Sequence, residues 1–308
     1  MEAVFQEKSV KGEVVMVKTK TKESDLDSML GNRYQWESMQ RLTVEALERR
    51  LAQPEYKVRG YWDKSQLSET EQKQVKAFES IHSFGADVAN LFEILIERHG
   101  YVPSQEEFIK EGVSLTKEWF CDNAFKNPKL KGLPFNSVVQ RAAEERLART
   151  WISVVVELHT KLLIQETLPH LKVIQHDLLD LVMGVDLIVE DDKKRYFIHI
   201  FKNTSWGMKA FKMKEKRGGL MKGKRFIKYK RDFTGDSILA YEWDSRTDHT
   251  STKFINGIPL FKAEFIEWKF RMMKRTPSIG EDVNTKHGKM DQLNDWIYKY
   301  FGQKAKFE

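Results

Sequence analysis

Gly184-Val185-Asp186-Leu187-Ile188-Val189, then a charged turn over 190–195, then Tyr196-Phe197-Ile198-His199-Ile200-Phe201-Lys202: this stretch decides how the chain is read. Two apolar runs of strand length, rich in β-branched and aromatic residues and joined by a short polar segment, predict a β-hairpin. The first run carries an acid in its middle, and the second ends on a lysine. Asp186 is the only ionisable side chain within 181–189. Side chains alternate along a strand. Asp186, Ile188 and Glu190 are therefore expected on one face of the first strand, and Ile198, Ile200 and Lys202 on one face of the second. His199 and Phe201 fall opposite Lys202, so His199 reads as a packed, hydrogen-bonded histidine rather than a base or ligand.

A buried carboxylate without compensation is costly. A divalent cation would compensate Asp186, and Mg²⁺ prefers one or two carboxylates with water and phosphate oxygens. Lys202 would then orient or help deprotonate a water, or neutralise charge building on a phosphate. The plainer reading is an ion pair between Asp186 and Lys202 with a structural role only.

Outward from the hairpin, the chain turns basic. Residues 193–232 hold 15 Lys or Arg against two acids, Glu215 and Asp232, a net of +13 in a chain whose formal charge is +7. The remaining residues are thus net acidic. Such asymmetry marks a contact with a polyanion more strongly than overall charge does; the plainer alternative is a solvated lysine-rich loop. Aromatics interleave with the cations at Trp206, Phe211, Phe226 and Tyr229, although Phe211 and Phe226 taken singly read as the core of a β-ribbon. The candidate DNA-binding residues are Lys209, Lys212, Lys214, Lys216, Arg217, Lys222, Lys224, Arg225 and Lys228. Lysines would neutralise backbone phosphates, giving salt-dependent affinity. Arg217, Arg225 or Arg231 would suit guanine edges.

The flanks are mainly helical. Residues 34–52 place Trp36, Met39, Leu42, Val44, Leu47 and Leu51 at helical steps. Residues 68–98 read as one helix or two broken near 83–85. Ser104 with Glu107 forms a capping-box signature after the turn at 100–104. The helix–turn–helix order there is more simply core packing than a DNA-reading unit. Residues 134–165 form the longest helical candidate, 236–243 a third strand, and 260–275 and 292–301 closing helices. Residues 1–30 read as a flexible arm with a short strand at 13–17. Residues 31–130 read as a helical region and candidate DNA-recognition subdomain, and 131–308 as the core carrying the basic segment. A single domain with a helical N-terminal half is the simplest organisation.

Composition excludes little. No apolar run approaches the length of a membrane span, and the N-terminus lacks the pattern of a secretory signal. With Cys121 the only cysteine, an internal disulfide and a zinc site of cysteines are both excluded. A reducing, cytoplasmic compartment fits. The histidines other than His199 show no metal-like spacing, and most are expected at the surface.

The hairpin and the helix before it resemble the PD-(D/E)XK nuclease superfamily, and within it the Taq-type type II restriction endonucleases. Glu144-Glu145-Arg146-Leu147-Ala148-Arg149-Thr150-Trp151 is similar to the helix that supplies that family's glutamate. Gly184-Val185-Asp186 is similar to its Gly-Ile-Asp, and Ile198-His199-Ile200-Phe201-Lys202-Asn203-Thr204 to its lysine strand. The resemblance implies an α/β (α+β) fold with a central mixed sheet flanked by helices. It implies a metal-dependent endodeoxyribonuclease that hydrolyses phosphodiester bonds in duplex DNA with Mg²⁺, as a homodimer without a membrane partner. By the same resemblance Asp186 takes the metal-ligand role and Lys202 the lysine role. Glu144 takes the helix glutamate, with Glu145 the alternative. Two departures stand out. The superfamily's common pattern has an acid where this chain has Ile200, and the Taq-type pattern has one where this chain has Leu181. Asp177, Asp180, Glu144 and Glu190 are the nearby alternatives. The rival readings are a nuclease-derived nucleic-acid-binding protein without cleavage, a nuclease acting on RNA or branched DNA, and a structural protein with an acidic partner.

Overall fold

The computed structural model describes residues 41–60, 62–81, 90–126, 128, 130–175, 185–191, 194–204, 235–241 and 250–273. In chain order the elements are α1 (Val44–Leu51), α2 (Glu69–Glu79), α3 (Leu91–His99), α4 (Gln105–Asn123) and α5 (Ser137–Thr167). They continue with β1 (Lys172–Ile174), β2 (Leu187–Asp191), β3 (Lys194–Lys202), β4 (Gly235–Tyr241), β5 (Thr252–Ile255), β6 (Ile258–Phe261) and α6 (Ala263–Met273). No helix among the described residues is long and apolar enough to cross a membrane.

Caps set the helix starts. Thr43 accepts the Ala46 N–H, so the helix expected over 34–52 begins, in its described part, only at Val44. Ser68 and Ser104 form capping boxes with Glu71 and Glu107, satisfying amides that would otherwise lack partners. Asn136 caps α5 through the Val139 N–H, which moves its start to Ser137 rather than 134. Over 68–98 the described residues hold α2 and α3, and the expected break near 83–85 lies outside the described residues. The second ends at Gly100, whose φ of 72° suits glycine.

The expected helix over 260–275 needs correction. Its first residues belong to β6, paired antiparallel with β5 (Ile255↔Ile258). Asn256 and Gly257 have φ of 49° and 84°, the two positive values a tight hairpin turn requires. The helix begins at Ala263. The strand at 13–17 and the helix at 292–301 lie outside the described residues.

The main sheet has the order β1-β2-β3-β4. β1 and β2 pair antiparallel, as do β2 and β3, while β4 runs parallel to β3. The sheet is therefore mixed, and the fold is α+β as expected. Parallel neighbours need a crossover connection. Residues 203–234 make it, and most of the basic run lies within that connection.

One sheet face and the helices share a core. Leu187, Val189, Tyr196, Ile198, Ile200, Leu239 and Tyr241 belong to the same buried cluster as Trp151, Val155, Leu158 and Leu162 of α5. α1 to α4 add Leu47, Phe78, Phe92, Phe108 and Phe120. Each such side chain contributes roughly 1.5–3 kcal/mol by leaving water. Trp151 is fully buried and donates its indole N–H to Pro103 O at 2.9 Å. α4 approaches α5 closely at Gly112, where an added Cβ would stand 2.7 Å from Leu147 Cδ2.

A polar cluster ties α1 to α5 and β5. His159 Nε2 lies 2.8 Å from Glu48 Oε1, and Lys253 Nζ donates to Glu48 Oε2 at 2.7 Å. The hydrogen bond with His159, helped by Lys253, lowers the Glu48 carboxyl to about 2 against the opposing effect of burial. His99 and His170 are exposed as expected, but His159 is fully buried. Its helical position on the α5 core face outweighs its polarity because Glu48 supplies a partner.

Candidate active site at the end of β3

Asp186 does not sit in the middle of a strand. It precedes β2 in a bend and is half-buried rather than buried. Its backbone N–H still donates to Ile198 O at 3.1 Å, and its Oδ2 accepts the Ile200 N–H at 2.5 Å. The cause is the end of the ladder. β2 stops pairing at Leu187↔Ile198, so among the described residues β3 runs on with no strand along that edge. The Asp186 carboxylate takes the next edge amide, and the Thr204 N–H takes Lys202 O at 2.8 Å. On the other edge, Asn203 N–H donates to Tyr241 O at 2.8 Å.

Register fixes how the faces of the two strands correspond. Leu187 pairs with Ile198 and Val189 with Tyr196. The face of Lys202 is therefore that of Leu187 and Val189, the face packed on α5. Strict alternation would put Asp186 with His199 on the other face. The bend instead lets its carboxylate reach along the strand edge to Ile200. Lys202 is half-buried at the C-terminal end of β3. Burial, and then the positive charge of Arg149 on α5, lowers its amine to about 8. His199 is buried, as its position opposite Lys202 predicts.

One turn of α5 carries both candidate glutamates. Glu145 is 3% exposed. Its Oε1 accepts from Arg59 Nη2 at 2.7 Å and lies 3.4 Å from Arg141 Nη2. Its Oε2 receives the Trp62 N–H at 3.4 Å. Glu144 is more open, with Arg141 at 3.2 Å and Arg59 at 3.7 Å. A small cleft runs beside this turn, lined in part by Arg59, Gly60, Gln105, Glu145, Ala148 and Arg149. Gln105 braces it, accepting the Arg59 N–H at 3.0 Å and donating to Ala148 O at 3.1 Å. Glu145 faces the cleft, and Glu144 is not among its lining residues.

Of the other acids, Glu190 is engaged by Lys172 at 3.0 Å, and Asp177 and Asp180 lie outside the described residues. So do Lys209, Lys212, Lys214, Lys216, Arg217, Lys222, Lys224, Arg225 and Lys228. Among the described residues no group of three or more His, Cys, Asp or Glu side chains is arranged to hold a metal ion. Asp186 supplies one carboxylate, which fits the ligand demand of Mg²⁺ when water and phosphate oxygens complete the shell. Arg59, Gln105 and Arg149 were not singled out in the sequence. The signal that could have found Arg149 is its i+4 spacing from Glu145, which stacks the two on one helix face.

The chain matches no known family, no curated protein and no solved structure.

Proposed function

We propose that the chain is a Mg²⁺-dependent endonuclease of the PD-(D/E)XK kind, of the type II restriction class, acting on duplex DNA. The observation that supports this reading is a carboxylate held along the edge of β3, the strand whose last residue is Lys202. Asp186 is bonded to the Ile200 N–H two residues before Lys202, and the positive charge of Arg149 on α5 acts on the lysine's amine. The basic crossover to β4 begins directly after Lys202 in the chain. In this reading Asp186 holds the cation, which would polarise a phosphoryl oxygen and make a bound water more acidic. Lys202 neutralises charge that develops on the phosphate, because an ammonium in a half-buried site acts in a lower dielectric than water. Glu145 positions Arg59, and the lysines of 205–234 neutralise backbone phosphates. A homodimer would give one site per strand.

A specific observation favours a second reading, a nuclease-derived DNA-binding protein that no longer cuts. Asp186 Oδ2 is occupied by a backbone amide, and the residue donating it, Ile200, stands where the superfamily's pattern has its further acid. Incubating the purified chain with unmodified plasmid and phage DNA, with Mg²⁺ and with EDTA, separates the two. Discrete Mg²⁺-dependent fragments are expected. Intact DNA bound in a salt-dependent manner would support the second reading. Binding competed more strongly by RNA or branched DNA than by duplex would move the substrate class.

A further inference from the structure

We draw no further inference here: the strongest candidate, the cleft beside α5 that Arg59, Gln105, Glu145 and Arg149 line, belongs to the site already described, and its charged side chains are already engaged, Arg59 with Glu145 and Arg149 with Glu79.

Discussion

Replacing Glu145 with Ala strips a carboxylate that is 3% exposed from between Arg59 and Arg141. The expected loss is about 2 kcal/mol, short of a fully buried pair because Arg59 is 28% exposed. Glu144→Ala should cost less than about 1 kcal/mol; denaturant melts of both variants measure the contrast, and equal losses would refute it. Lys269 offers a second residue-level test. Burial lowers its amine to about 7, so between pH 7 and 10.5 the unfolded chain binds more protons than the folded one. Stability should rise with pH there by up to about 1.4 kcal/mol per unit. Lys269→Met should flatten the rise, most cleanly near pH 7, where Lys202 adds little to the slope. The strand ending on Lys202 was legible in the sequence because alternation is a local signal, whereas the bend that takes Asp186 out of β2 was not. Whether Glu144 or Glu145 meets the cleft was not, since the rotation of a helix about its axis is set by what packs on it.

At the scale of elements, α4, α5 and the β2–β3 hairpin could be read from periodicity and caps. The β5–β6 hairpin was lost because Ile258-Pro259-Leu260-Phe261 is apolar enough to pass for the start of the following helix. The punctuation lay in Asn256-Gly257, a dipeptide that favours the turn seen here. The bend at Asp186 depends on where β2 stops pairing with β3, which no single-strand pattern reveals. The α4–α5 contact makes a further prediction. An alanine at 112 would favour the helix by up to about 1 kcal/mol, yet its Cβ would stand 2.7 Å from Leu147 Cδ2 and 3.2 Å from Leu91 Cδ2. Both side chains are buried in the shared core, so overpacking should win and Gly112→Ala should lower stability by about 1 kcal/mol. A raised melting temperature would show that the core yields there.

At the scale of the molecule, Glu48, His159 and Lys253 join the first described helix to residues more than a hundred positions away. The Glu48 carboxyl falls from an ordinary value of 4.5 to about 2. Its contribution is present above pH 4.5 and is lost as pH falls from 4.5 towards 2. The ceiling is about 3 kcal/mol, for a side chain 21% exposed. Glu48→Gln should therefore be less stable at pH 6 and lose less on acidification, which acid-unfolding curves will show. The charge asymmetry belongs to this scale too. Replacing Lys222, Lys224 and Lys228 together should weaken DNA binding and flatten its salt dependence, and an unchanged slope would move the DNA surface elsewhere.

The proposed role of Asp186 is to hold a metal ion as well as to cap the edge of β3, and Asp186→Asn separates the two roles. Asparagine keeps a carbonyl oxygen to accept the Ile200 N–H but loses the charge a cation needs. The decisive measurement is Mg²⁺-dependent cleavage of phage DNA by wild type and Asp186→Asn at matched DNA binding, with melting temperatures taken on the same preparations. Discrete fragments from the wild type, no fragments from the variant, and similar melting temperatures are expected. Cleavage retained in Asp186→Asn, or no cleavage by the wild type, would contradict that role.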